Sequence, residues 1–309
     1  MEFDTEPVPP FDFHLSAKIF SEGDERICRY ENGTYWQVTR LNHKMVLVTL
    51  RSLGNVDEPK LSVSLMPDED LSDDDIKKAE EMVRYLFNMN LDLKPFYEAI
   101  KGDRAMSKIT QELWGLRSPS TATVFEALVD SIVEQQISLR VAWTLERRLT
   151  ETFGDKLPLG DKIYYAFPEP ERLAKATIED LRGCGLSFRK SEYIRDLAKL
   201  NLVGLDLEKF KDYKDPEKII EELRHIRGVG VWTAELAMVR GMQKLDVIPA
   251  DDLGLQRCIS HYYCGDRKIT GDQARKIAEA WKGWKGLASF YLIMAERIGV
   301  EILRIDNDL

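Results

Sequence analysis

The chain has 309 residues, 44% hydrophobic and 31% charged, with a formal net charge of −9; that is enough apolar content for two or three modest cores and too much for global disorder. The N-terminus lacks a basic start followed by an apolar run, and the longest apolar stretches, such as 45–50, are far too short to cross a bilayer, so the expectation is an intracellular chain without signal peptide or membrane partner. The charge is uneven: residues 1–92 carry 19 acidic and 10 basic side chains, and the remainder 34 of each, so binding to nucleic acid would rest on a few placed contacts rather than on bulk charge.

In chain order, residues 11–66 read as strands. Val38, Leu41, Val46, Val48 and Leu50 are the apolar positions of short β-rich runs. Asn32-Gly33, between the runs 26–31 and 34–41, is a strong hairpin signal, and a second turn at 42–44 leads into the next run. Ser72, with Asp75 three residues on, opens a helix whose stripe is Ile76, Ala79, Met82, Val83, Leu86 and Phe87. This predicts a small α+β domain with an antiparallel sheet over 1–92.

After Pro95 the pattern is helical. Thr121 is the expected cap of a helix that turns Val124, Phe125, Leu128, Val129, Ile132 and Val133 inward. Further helices fit 139–153, 187–201, 216–226, 231–243, 252–263, 271–282 and 286–299, and Pro158, Pro168, Pro170 and Pro216 punctuate the connections. The expected fold class is mainly α, with a helical domain over 93–309.

The strongest local signal is 223–234, where Gly228-Val229-Gly230 joins two amphipathic segments. Glycine allows a turn that other residues resist and lets backbone N–H groups approach a ligand. The free N–H groups and dipole of the second helix then make an anion site suited to a DNA phosphate, with Val229 plugging the turn into the core. A plain helix–helix connector fits the same residues, and a nucleotide site would need a preceding strand and a longer glycine pattern.

Downstream stands Pro249-Ala250-Asp251-Asp252-Leu253-Gly254, followed by Arg257. The hairpin, about eighteen residues, and this Pro-x-x-Asp together resemble the helix-hairpin-helix (HhH-GPD) DNA glycosylase superfamily, and more closely its AlkA-type alkylbase (3-methyladenine) branch. Three further segments resemble that branch in the same order: 132–138, with Gln135, Gln136 and Ser138; 185–190, with Arg189 and Lys190; and Trp281-Lys282-Gly283-Trp284. The similarity covers about residues 120–300. It implies a two-lobed helical fold with a small α+β N-terminal domain, a duplex DNA partner containing a damaged base, action as a monomer and no cofactor.

The resemblance makes Asp252, not Asp251, the catalytic carboxylate. Breaking an N-glycosidic bond builds positive charge on the deoxyribose, and a fixed carboxylate beside C1′ stabilises it and orients water. Taken alone, Asp252 reads as a helix cap. Trp232 occupies the place where bifunctional members carry a Schiff-base lysine, which implies water as nucleophile and an intact abasic product. The implied base pocket is Trp232, Leu236, Tyr291 and Ile293. The implied DNA contacts are Gln136, as the wedge that fills the gap left by the flipped base, with Ser138, Arg189, Lys190, Arg227, Gly228, Val229, Gly230 and Thr233. Carbonyls of Arg224, Ile226 and Val229 are the implied seat of a monovalent cation, and no other metal is expected.

Arg257 is expected to be structural, paired with Asp251 or a helix end. The histidines His14, His43, His225 and His261 are scattered, and the four cysteines contain no CxxC pair, which argues against zinc or iron–sulfur centres. Three rivals stay open: excision of 8-oxoguanine or deaminated bases, a non-catalytic DNA-gripping module, and a lyase built on Lys190.

Overall fold

The computed structural model describes residues 1–21, 27–42, 44–67 and 70–301. The first part is a five-stranded antiparallel sheet of β1 (Glu2–Thr5), β2 (Cys28–Glu31), β3 (Thr34–Leu41), β4 (Lys44–Ser52) and β5 (Leu61–Pro67), in the order β1-β5-β4-β3-β2. The Asn32-Gly33 turn forms as its composition predicts, with φ of 50° and 74°, and it sets the register Glu31↔Thr34. Both central residues take the left-handed conformation that matches the twist of the flanking strands. In the second turn Asn42 has φ of 53° and Leu41 pairs with Lys44; His43 and the Arg26 end of the first run lie outside the described residues.

Reading 11–66 as strands misses one element. α1 (Phe13–Phe20) is a helix, capped by Asp12, which accepts from Leu15 N at 2.9 Å. Phe13 and Ala17, four apart, are buried against the sheet, so aromatic β-propensity is overridden by packing. Beside it α2 (Asp73–Leu86) starts at the expected Ser72–Asp75 capping box and buries Ala79, Val83 and Leu86. Phe87 closes this core, 5.0 Å edge-on to Tyr35 and 4.7 Å from Phe20.

The chain then enters α3 (Lys94–Ala99) and α4 (Arg104–Glu112), before α5 (Val124–Glu134) and α6 (Leu139–Phe153). Thr123, not Thr121, caps α5, accepting from Glu126 N at 3.0 Å. The Thr121 hydroxyl is spent as a donor to Thr123 O at 2.8 Å. A hairpin that the prolines obscured follows: β6 (Lys156–Leu159) and β7 (Lys162–Tyr165), with Pro158 opposite Ile163. A two-stranded ribbon is all edge, where proline is tolerated.

After it come α7 (Pro170–Lys175), α8 (Ile178–Gly183), α9 (Phe188–Leu202), α10 (Pro216–Leu223), α11 (Val231–Met242), α12 (Leu253–Tyr263), α13 (Gly271–Ala278) and α14 (Lys285–Ile298). Among the described residues none of these helices is long and apolar enough to cross a membrane.

The helices form two lobes. The first has a core drawn from Val124 to Val247. The second joins Ile19 of α1 and Leu93–Leu116 to Ile248–Ala295. The chain crosses from one core to the other between Val247 and Ile248. Arg117 is fully buried where the sheet meets the second lobe; it donates to Val8 O, Pro10 O and Leu91 O and lies over the Phe11 ring. On the sheet's other face Val38 and Leu47 pack against Leu157 and Ala166, and Arg40 pairs with Asp155.

Candidate functional site

The hairpin runs from α10, which ends at Leu223, three residues before the expected 226, into α11. Gly228 has φ of +93°, and a Cβ there would lie 2.3 Å from Tyr193 Cγ, so this position needs glycine twice over. Gly230 needs it for neither reason: its φ is −93° and an added Cβ would meet open space. That open space lies before the N-terminus of α11, which among the described residues has no side-chain cap. The N–H groups there and the helix dipole face outward unsatisfied, which is the requirement for an anion site. Val229 is buried, 5% exposed, and plugs the turn into the first lobe.

Asp252 stands just past the crossing between lobes. It is the N-cap of α12: Oδ1 accepts from Leu255 N at 2.8 Å, and its own N–H donates to Pro249 O at 2.9 Å. The second oxygen has no hydrogen-bond partner among the described residues. Asp251 points elsewhere, its Oδ2 3.4 Å from Arg275 on α13. The two neighbouring aspartates are thereby separated, one held by α13 and one held at a helix N-terminus. Arg257 is held within the protein as expected, but by another partner. It forms a two-pronged pair with Glu296 at 2.8 and 2.9 Å, not with Asp251, because Glu296 on α14 faces that turn of α12.

A family model described as HhH-GPD superfamily base excision DNA repair protein matches residues 129–283, which hold both the hairpin and Asp252. The chain belongs to this superfamily. The DNA-3-methyladenine glycosylase of Bacillus subtilis (strain 168) is 38% identical over 221 residues, 70% of this chain and 72% of that protein. DNA-3-methyladenine glycosylase 2 of Escherichia coli (strain K12) is 31% identical over 182 residues, 59% and 61% of the two. Among solved structures, a 3-methyladenine DNA-glycosylase from Archaeoglobus fulgidus superposes with a TM-score of 0.83 at 26% identity, over 96% of this chain and 99% of that one.

Within the HhH-GPD frame the remaining site residues fall into two groups. Trp232 is half-buried in the first turn of α11, and its indole N–H is buried without a partner among the described residues. Leu236, one turn on, is 9% exposed, and Ile293 on α14 is half-buried. Tyr291 is not beside them as a pocket wall. It is fully buried in the second core, its hydroxyl donating to Leu116 O at 2.7 Å and its ring edge-on to Phe96, which leaves no ring face for a base.

Gln136 follows α5 with φ of +58° and is exposed, as are Ser138 and Arg189. Lys190 and Arg227 are engaged by protein. Lys190 Nζ donates to Val133 O and Gln135 O, and burial lowers its pKa. Arg227 pairs with Glu192 at 2.8 Å and Asp196 at 3.4 Å. Thr233 is buried and its hydroxyl accepts from Gln135 Nε2 at 3.0 Å. Of the three carbonyls expected to seat a cation, that of Ile226 accepts from Val229 N at 3.0 Å.

Three residues to which the sequence assigns no role of their own stand out in the structure. Gln135 reaches from the end of α5 to the hairpin. Arg275 binds Glu235 on α11, Ile248 O and Asp251 together. Leu253, next to Asp252, is 77% exposed. Only Gln135 had a signal, the Gln-Gln pair that ends a buried helix.

Behind the site, α5 carries Glu126, Asp130 and Glu134 at intervals of four, which places them on one face. They share that side with Glu146 of α6 and Arg240 of α11, which is ion-paired to Glu134. Burial, then the neighbouring carboxylates, raises Glu146 to about 8 and Asp130 well above the carboxylate range. Burial raises Glu126 to about 7 against hydrogen bonds from Ala122 and Thr123 N–H.

Proposed function

We propose that the chain is a monofunctional DNA glycosylase that extrudes an alkylated base from duplex DNA and hydrolyses its N-glycosidic bond. The observation that carries this reading is Asp252: a carboxylate with one oxygen pinned by the α12 cap, the other unpaired, at the seam between the lobes and beyond a helix N-terminus open to phosphate. The relatives' names supply the alkylated-base part.

The sequence of events follows from the parts. The hairpin and Arg189 hold the strand by its phosphates, which positions the protein without reading sequence. Extrusion of a nucleotide costs a few kcal/mol of unstacking, and Gln136 fills the gap it leaves. The base enters between Trp232, Leu236 and Ile293, where an indole face attracts a ring made cationic by alkylation. The C1′–N bond breaks with its electrons going to the base, and the Asp252 carboxylate faces the positive sugar. Water adds its oxygen to C1′, its proton is released, and the products are a free base and an abasic site. Trp232 offers no amine, so no Schiff base forms and the strand stays intact.

In this reading residues 1–92 and 93–309 are the two domains, and the carbonyls of Arg224, Ile226 and Val229 seat a monovalent cation between hairpin and phosphate. The test is incubation with end-labelled duplexes containing 3-methyladenine, ethenoadenine, hypoxanthine or 8-oxoguanine, with and without hot alkali. Strand breaks only after alkali support the proposal and name the base. Breaks without alkali mean a lyase, and DNA binding without breaks means a gripping module.

A further inference from the structure

Sequence pattern places Lys190 beside Arg189 as a phosphate ligand. Its ammonium instead donates to Val133 O at 2.8 Å and Gln135 O at 2.6 Å, at the end of α5, where helix carbonyls lack intrahelical partners and the dipole is negative. The next residue, Gln136, is left-handed at φ +58°, a conformation that disfavours a non-glycine residue and persists only where its surroundings hold it. From the opposite side, Gln135 Nε2 donates to Gly228 O at 2.8 Å and Thr233 Oγ1 at 3.0 Å. One short turn is thus bonded at the same time to α9 and to the hairpin.

We propose that Lys190 and Gln135 are positioning residues: they lock the turn carrying Gln136 to the hairpin, so that the wedge enters the duplex in fixed register with the phosphate grip, and Lys190 is not a phosphate ligand. The proposal rests on the glycosylase reading above. A wedge on a loose turn has to be ordered at the moment the base leaves the stack, and that ordering subtracts from the energy available for extrusion. A turn already bonded on both sides is ordered beforehand.

The test uses Lys190→Met and Gln135→Met in the full chain, with Arg189→Ala for comparison. Three quantities are read: the slope of log affinity against log salt on undamaged duplex, the fluorescence of 2-aminopurine placed opposite a tetrahydrofuran abasic analogue, and the single-turnover excision rate at saturating DNA. Lys190→Met is expected to keep the wild-type salt slope while the 2-aminopurine response and the excision rate fall, the rate by on the order of ten- to a hundred-fold. Gln135→Met should do the same, and the double variant should lose little more than either single, since both act on one turn.

A slope reduced by about 0.9, the mark of one lost phosphate contact, with a normal excision rate in Lys190→Met, overturns the proposal. A full 2-aminopurine response in both variants does so too. If Lys190→Met does not fold, Gln135→Met carries the test. If the wild type excises no damaged base while slopes and fluorescence behave as expected, the glycosylase reading fails and the positioning role stands.

Discussion

Arg275 on α13 reaches Glu235 on α11 with two hydrogen bonds, 2.6 and 3.1 Å long, and so ties the second lobe to the first beside Asp251, the neighbour of Asp252. Glu235 is 3% exposed, and burial raises its pKa against the pull of Arg275. Removing the guanidinium leaves a buried carboxylate unpaired. Arg275→Met should therefore destabilise the fold by roughly 3 kcal/mol, and Glu235→Gln in the same chain should recover much of that loss. Urea unfolding midpoints of the two variants are the measurement. Equal midpoints for Arg275→Met and wild type would refute the link.

Asp252 caps α12, and one substitution separates that cap from the catalytic role proposed for it. Asparagine caps a helix about as well as aspartate, so Asp252→Asn should unfold within roughly 0.5 kcal/mol of wild type. It cannot oppose a positive sugar with a full charge, and the excision rate should drop by on the order of a hundred-fold or more. Asp252→Ala should lose activity and, in addition, about 1 kcal/mol of cap. Activity surviving in Asp252→Asn would return this residue to a purely structural part.

The two hairpin glycines should respond in opposite ways. Gly228→Ala meets both a positive φ and the Tyr193 ring, and is expected to cost about 2 kcal/mol or more of stability. Gly230→Ala meets no protein atom and should leave the thermal midpoint nearly unchanged. Its methyl group would sit in the phosphate approach, so duplex affinity should fall. Thermal melts and fluorescence anisotropy on one labelled duplex separate the pair.

The acidic face of α5 sets a pH dependence opposite to that of most carboxylates. Glu126 near 7 and Glu146 near 8 bind their protons more tightly folded than unfolded, where glutamate titrates near 4.3. Their stabilising protons are fully in place below the unfolded value and are lost as pH rises through 7 to 8. The urea midpoint should decline between pH 6 and 8.5, and Glu146→Gln should flatten the decline. A midpoint constant over that range would contradict the shifts.

Much of this was legible in the sequence because it is written in short-range signals. The Asn32-Gly33 turn, the Ser72–Asp75 box and the 139–153 helix need only neighbours to form. The hairpin and Asp252 stand out for the same reason: their residue types are dictated by backbone geometry and by one helix end. What stayed hidden depends on residues far apart in the chain. Nothing local distinguishes a core Tyr291 from a pocket tyrosine until Leu116 and Phe96 are placed against it. Lys190 looks like any surface lysine until α5 ends beneath it. Phe13 and Ala17 form a helix because a sheet built from residues up to 67 covers them.

The crossing between Val247 and Ile248 also bears on how the protein is made. The first lobe is one continuous stretch, so it can fold as soon as it leaves the ribosome. The second waits: its early part, Leu93–Leu116, has only Ile19 and its α1 neighbours Leu15 and Phe20 to pack on until Ile248–Ala295 has been synthesised, more than a hundred residues later. At 5–20 residues per second that interval lasts on the order of ten seconds, during which apolar side chains such as Phe96 and Met106 lie uncovered. Asp252 sits in the segment that ends the wait. On the roles proposed above, a nascent chain acquires the hairpin that would hold DNA before the carboxylate that would act on the glycosidic bond, and a translation product stopped short of α12 would have the first without the second.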